Sequence, residues 1–393
     1  MKSSKARWQF IALILILAFV VAGCANVRRG VSWPALSTTI IGNDVGIVVS
    51  YDNQVVALNP QNGDVLNLID SEGKILRDAE NNPMVWTIDG GDYEKAQFFA
   101  NPFPSSNQDG KTLIFPTYTN RLLEFYVDSL KPVTTAGYPL TGGVVADVLV
   151  TDNLIYVPYE QQDIVALDHK TFNEVWRFDT EEGIWATPLL HEGILYVPSV
   201  NHILYALDAT TGEEVWKLDL EGVIASTPLF YNGFLYVGSY SHKLYKISLD
   251  GKIVASHEGS NWVWGTPVVD NGVLYYSDLR GFVYALNPDD LSEIWATQAA
   301  ERGIRPAPIV SADYVIVASR SGKLYWLSRT DGSVVFEREM RGAPEILSDI
   351  LLIPADSEHG VNNDLIVVAS TDTKNLVAAY RLDNSVEQWV YSR

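Results

Sequence analysis

Four consecutive units of about forty residues run from Trp185 to Arg341, and each repeats the same run of short apolar segments between turn formers. Pro188, Pro228, Pro267 and Pro308 mark one place in successive units at separations of 40, 39 and 41 residues. Tyr205, Tyr245, Tyr284 and Tyr325 keep the same separations inside the third segment, so two independent markers fix one register. The segments are four to seven residues long, rich in β-branched and aromatic side chains, and bounded by Asn232-Gly233, Asn271-Gly272, Asp250-Gly251 and Asp331-Gly332. That pattern predicts strands joined by hairpins, four to a unit.

A four-stranded antiparallel sheet with two apolar faces cannot bury them alone, so successive sheets must stack. The third-strand signature recurs at Val55–Asn59, Ile164–Asp168 and Val377–Arg381, and more weakly at Arg121–Phe125, which brings the count to eight between about Trp33 and Tyr391. The expected fold is all-β, an eight-bladed β-propeller of four-stranded antiparallel blades. An open superhelical stack is the competitor, but it leaves two apolar terminal faces that need polar caps, and the first and last units are apolar throughout. Residues 71–95 depart from the period and are expected as an insertion between blades. The rest of 33–393 reads as one domain.

The first thirty residues differ in kind. Lys2, Lys5 and Arg7 precede an uncharged apolar run from Phe10 to Ala22, then Gly23-Cys24. Thirteen uncharged residues span about 20 Å of helix, short of a membrane core of roughly 30 Å. The segment resembles a bacterial lipoprotein signal peptide, with Val21 at the position where leucine is most usual. The resemblance implies cleavage after residue 23, acylation of Cys24 and a lipidated tether over 24–32. Ala25, in place of aspartate, implies sorting to an outer membrane where the cell has one, and otherwise the outer face of the cell membrane. Cys24 is the only cysteine, which removes disulfide, metal-thiolate and cysteine-nucleophile chemistry together. Without Lys2, Lys5 and Arg7 the chain keeps 25 Lys and Arg against 48 Asp and Glu, a net charge of −23. That balance argues against nucleic acid as a partner and leaves membrane attachment to the lipid.

Ala206-Leu-Asp-Ala-Thr-Thr-Gly-Glu-Glu-Val-Trp216 fits at every fixed position the signature Ala-x-Asp-x-x-Thr-Gly-x-x-x-Trp of the quinoprotein-type propeller repeat, which the chain resembles over nearly its whole mature length. Ala166 to Trp176 has Phe172 for the glycine, and Ala285 to Trp295 has Asn287 for the aspartate. Asp168 and Asp208 are expected to cap turns, Gly212 to supply positive φ, and Trp176, Trp216 and Trp295 to pack between adjacent blades. None of these roles needs a cofactor. Quinone-dependent dehydrogenases of this fold carry a vicinal disulfide and a calcium ion, so pyrroloquinoline quinone is not expected here. Asp89, Asp92, Asp289, Asp290 and the 356–364 run lack the alternation of a calcium loop, and calcium is not expected either. His202 and His242 stand forty apart where the next units carry Gly281 and Gly322, which predicts hairpin turns. No nucleophile elbow, phosphate loop or paired-histidine zinc motif occurs, so no catalytic or metal residue is assigned.

Signal peptide, length and eight units together resemble the propeller subunit of the outer-membrane β-barrel assembly machinery. That resemblance implies a non-enzymatic, lipid-anchored scaffold that binds the barrel-assembly core protein. The alternatives are a module that binds a polysaccharide or small molecule and, behind it, a quinone-dependent oxidoreductase. Trp185, Trp262 and Trp264 precede the first strands of their units, as Val223-Ile224 and Arg305 do in others, so side-chain type varies there from blade to blade. They are the candidate ligand face, together with residues 71–94 and the 356–364 loop.

Overall fold

Strands of five or six apolar residues that alternate in direction, each followed by a turn former, make the unit that the repeat predicts. The computed structural model describes residues 33–42, 44–70, 72–105, 111–358 and 361–393. Cys24, with the signal-peptide and tether expectations, lies outside them. The described chain forms eight four-stranded antiparallel sheets arranged as propeller blades, with two single-turn 3-10 segments and no α-helix. Blade 4 is typical: Leu189–His191, Ile194–Pro198, Ile203–Asp208 and Glu214–Asp219 pair in chain order from the channel outward.

Burial follows position in the blade. The second and third strands are buried on both faces because each blade is covered by a neighbour on either side. The outer strand alternates between covered and exposed residues. In blades 3 to 8 its pairing slips by one residue, as between Ala206 and Leu207, a bulge that adds twist to the outer edge.

Adjacent blades are tied by one recurring contact. Trp176 Nε1 donates to Ala209 O of blade 4 (3.1 Å), Trp216 Nε1 to Leu249 O of blade 5 (2.9 Å), and Trp295 Nε1 to Arg329 O of blade 7 (3.1 Å). In each case the indole lies against the glycine of the receiving turn. At Gly212, φ is +76°, and an added Cβ would stand 2.6 Å from the Trp176 ring. Asp208 shapes the same turn by accepting the Thr210 and Thr211 amides at 2.9 and 2.8 Å, and Asp168 does so for Lys170 and Thr171. The glycine and tryptophan of the sequence signature therefore meet partners in different blades, never each other.

The same contact closes the ring. Trp389 of blade 8 donates to Pro60 O of blade 1 (2.7 Å) and packs on Gly63, while Tyr51 Oη reaches Thr371 O (3.1 Å). No strand is exchanged: all four strands of blade 1 come from residues 35–89 and all four of blade 8 from 351–391. Closure rests on side chains, with Ile47, Val49, Val56 and Leu58 packed against Leu365, Val367, Ala379 and Trp389.

The segment expected between blades lies inside blade 1 instead. Its fourth strand is Thr87–Asp89, so residues 59–86 connect the third and fourth strands of one sheet. They fold back in three passes whose backbones bond in closed triangles. Leu66 donates to Ala57, Ala57 to Trp86 and Trp86 to Leu66; one level out, Leu68, Met84 and Leu76 repeat the cycle. Asn59, Asp70 and Asp78 each bend a turn by accepting an amide two residues on. A forty-residue period cannot reveal this, because the insertion has a shorter rhythm of its own.

Gly212→Ala is expected to cost about 2 kcal/mol or more in denaturant unfolding, since both the left-handed backbone and the Trp176 ring oppose a methyl group. Gly193, at φ +80° with nothing within 4 Å of an added Cβ, supplies the control. Gly193→Ala is expected to cost only about 1 kcal/mol, and equal losses for the two would remove the indole contact as a source of stability.

Candidate functional site

Because strands alternate in direction, the turns between second and third strands share one face of the ring with the segments that enter each first strand. Turns between first and second, and third and fourth, share the other. The entry segments line the central channel, and their register is eightfold. Its outer tier holds the aromatic Trp33, Phe99, Trp185 and Trp264, the aliphatic Val145, Ala225 and Leu347, and one charge, Arg305. Two residues further along each entry segment, a second tier presents Asn101, Asp147 and Asp349 beside Thr187, Thr227 and Thr266. The tiers surround a cavity of about 150 Å³.

Three tryptophans singled out in the sequence come together here. Trp185 stacks near Trp264 with ring centroids 6.2 Å apart, and Tyr240 lies flat on Trp262 at 4.5 Å while touching Trp264 at 5.4 Å. Trp185 and Trp262 keep 36% and 44% of their surface exposed, enough to leave a ring face free. Arg305 is 7% exposed, and its guanidinium lies between the Trp33 and Trp264 indoles at 4.0 and 3.9 Å. Burial pushes Arg305 down to about 10. Burial pushes the Tyr240 phenol well up, with Arg305 opposing, and its Oη has no hydrogen-bond partner among the described residues.

In the second tier, Asp147 takes the Asn101 amide at 2.7 Å and its Nδ2 at 2.8 Å, whereas Asp349 takes only the Ala307 amide, at 2.7 Å. Asp349 keeps surface exposed toward the channel, although protein crowds its carboxyl. Burial first, and then Asp147, raise its carboxyl above the usual range, with the Ala307 amide and Arg305 opposing.

Sequence reasoning picked out the tryptophans but missed Tyr240, Arg305 as their centre, and the Asn101, Asp147 and Asp349 tier. The available signal was the offset from the repeated Thr-Pro, since Arg305 stands two residues before Ala307 just as Trp185 does before Thr187 and Trp264 before Thr266. In blade 5 that position is Ala225, one residue past the Val223-Ile224 pair that the sequence suggested.

Other candidates lie elsewhere. The 59–86 insertion and the 356–364 loop emerge on the face opposite the channel mouth, where Asn362 Nδ2 reaches Gln61 Oε1 at 3.2 Å. Asp89 and Asp290 accept local amides in turns, and no group of three or more metal-type side chains occurs among the described residues. His202 and His242 adopt φ of +76° and +69° in hairpin turns. The fully buried Asp278 accepts the Ser260, Arg280 and Phe282 amides and Tyr284 Oη, so it closes a turn with its bonding capacity used. Cys24 being the only cysteine, no vicinal disulfide can form beneath the channel, and the residues present do not fit a quinone in that arrangement.

A second surface runs around the rim. The outer strand of each blade has a free backbone edge, and in five consecutive blades it carries an exposed β-branched residue at one register: Val175, Val215, Val254, Ile294 and Val335, 44–54% exposed.

A family model described as Outer membrane protein assembly factor BamB matches residues 127–223 and 200–392. Among curated relatives, the assembly factor BamB of Escherichia coli K12 is 33% identical over 85 residues, 19% of this chain and 22% of that protein. BamB of Xanthomonas campestris is 25% identical over 118 residues, 30% of this chain and 26% of that protein. The matched stretches thus span about a quarter or less of these relatives' length. Among solved structures, BamB from Moraxella catarrhalis superposes with a TM-score of 0.66 at 17% identity, covering 89% of this chain and 94% of that one. The computationally designed Ika8 protein gives 0.63 at 12% identity, over 89% and 96%. At such identities the superpositions describe the fold.

Asp349→Asn tests the channel electrostatics. A carboxyl whose folded pKa is raised binds its proton more tightly in the folded state, so its ionisation costs stability as pH rises from the unfolded value, near 3.9, through the folded one. The variant keeps an acceptor for Ala307 and is expected to melt about 1–3 °C above wild type at pH 7–8. The gain should vanish below about pH 4, and a shift independent of pH would contradict the assignment.

Proposed function

The chain belongs to the family described as Outer membrane protein assembly factor BamB, and from that premise we propose that it is a non-enzymatic, extracytoplasmic scaffold for outer-membrane β-barrel assembly. It is tethered at the periplasmic face through acylated Cys24 and contacts the barrel-assembly core protein. The family match over 127–392 is the observation that carries this reading. The rim supports it physically: free edges of outer strands, flanked by half-exposed Val215, Val254 and their equivalents, suit pairing with an extended chain. A net charge of −20 favours basic partner surfaces over anionic ones.

Crosslinking from native membranes, followed by mass spectrometry, tests the proposal. The wild-type chain is expected to capture a barrel-assembly protein and nascent outer-membrane proteins, and Cys24→Ala to lose them by mislocalisation. Recovery of glycans, wall enzymes or transporters in their place would overturn the scaffold reading. The double variant Val215→Lys, Val254→Lys replaces solvent-facing side chains and is expected to leave the melting temperature within about 2 °C. Its capture of nascent barrels is expected to fall several-fold, and unchanged capture would exclude the rim as the contact surface.

A further inference from the structure

The channel mouth presents a feature that scaffolding does not use. Arg305 is buried, yet none of its nitrogens has a hydrogen-bond or ion-pair partner among the described residues. Attraction from Asp349 and the two indole faces offset part of the cost of burying this charge, but its N–H donors still lack the hydrogen-bonding acceptor that a group from outside the fold could supply. Both faces of the guanidinium are covered by the Trp33 and Trp264 indoles, so only its N–H edge remains available, and that edge fits the two oxygens of a carboxylate.

The surroundings favour an anion at this end of the channel. Arg302 and Arg320 stand on the same face and share one carboxylate, Glu345, at 3.5 and 3.2 Å. Glu345 and the neighbouring Glu301 offset those two arginines, which leaves Arg305 as the cation at the mouth with no carboxylate in contact among the described residues. Asp147 and Asp349 lie in the deeper tier, which keeps an anion at the mouth. On the same cavity wall, the half-exposed Trp185, stacked near the Trp264 that touches Arg305, offers a ring face. A volume of about 150 Å³ takes roughly one ring.

We propose that the channel mouth is a binding site for a small organic carboxylate carrying a flat apolar ring, with Arg305 pairing the carboxylate through its N–H edge and Trp185 stacking the ring. This goes beyond the scaffold role and stands or falls independently of it. The carboxylate comes either from a free metabolite or from the end of a chain, and the two sources share the same recognition chemistry.

Indole-3-acetate is the probe, titrated into the full chain in detergent and followed by calorimetry and tryptophan emission. It is expected to bind one per chain, about tenfold or more tighter than indole-3-acetamide, which lacks the charge, and than acetate or inorganic phosphate, which lack the ring. A C-terminal Gly-Trp dipeptide binding as well as indole-3-acetate would assign the chain-end source, and its failure the free one. Arg305→Met keeps a flexible apolar side chain between the indoles. It is expected to abolish binding while leaving the melting temperature unchanged or higher, because buried N–H donors without an acceptor are removed. A fall of more than about 5 °C would mark Arg305 as structural. Should that variant not fold, Trp185→Ala leaves Arg305 in place and is expected to weaken the probe about fivefold or more. No binding of the probe, or equal binding of acid and amide, overturns the proposal.

Discussion

The indole of one blade resting on the turn of the next is the contact from which the architecture follows. A four-stranded blade has two apolar faces and no way to bury them, so its stability resides at junctions. Trp176, Trp216, Trp295 and Trp389 each supply a large ring and an N–H to the carbonyl of the following turn. At these four junctions the ring also rests on a turn glycine; Trp86 and Trp326 make the same N–H bond, to Val127 O (2.7 Å) and Leu382 O (3.1 Å), so six of the eight junctions share it, and Trp389 joins the chain's end to its beginning without a shared strand. Truncating a tryptophan so placed costs about 3–5 kcal/mol, a large share of the stability of an ordinary domain.

Where the device is altered, both partners change. At the junction of blades 2 and 3, Tyr138 replaces the tryptophan and Phe172, at φ +57°, replaces the glycine; their rings lie 4.2 Å apart. Between blades 5 and 6, Ala255 faces a turn in which Leu291 holds positive φ, and the buried Lys246 ammonium reaches Pro288 O and Asp289 O at 3.0 and 2.8 Å. A large ring needs the bare backbone of glycine, and a larger turn residue fills the space that a smaller outer-strand residue leaves. Loss of the signature in those blades therefore reports compensation across the junction.

This explains what was legible in the sequence. The eightfold repeat, the strands and the turns could be read because each depends on local spacing, and Pro188 to Pro308 with Tyr205 to Tyr325 carry it twice over. Which residues touch could not be read, since Gly212 and Trp216 are neighbours in the signature yet belong to different junctions. The channel was half legible. Trp185, Trp262 and Trp264 stand out by type, while Arg305, Asp147 and Asp349 become meaningful only when eight entry segments are wrapped onto one axis. The three-sided insertion of blade 1 was illegible in form, because its hydrogen bonds close triangles that follow neither strand nor helix period.

The two faces of the ring consequently answer to different constraints. Turns on the face opposite the mouth carry the indole contacts, so they keep their shape and take elaboration as added chain, as in residues 59–86 and 356–364. The channel tiers lack the indole-on-turn contact and join blades only through scattered pairs such as Asn101 with Asp147 and Ala307 with Asp349, so a fixed backbone can present varied side chains there. That freedom sharpens the meaning of Arg305. In a tier otherwise apolar, any of the aliphatic residues found at Val145, Ala225 or Leu347 would satisfy the fold, and burying a guanidinium between two indoles is the more costly choice. The two indoles and the attraction of Asp349 hold the guanidinium in part, and the carboxylate proposed for the mouth supplies the hydrogen-bonding acceptor that they do not.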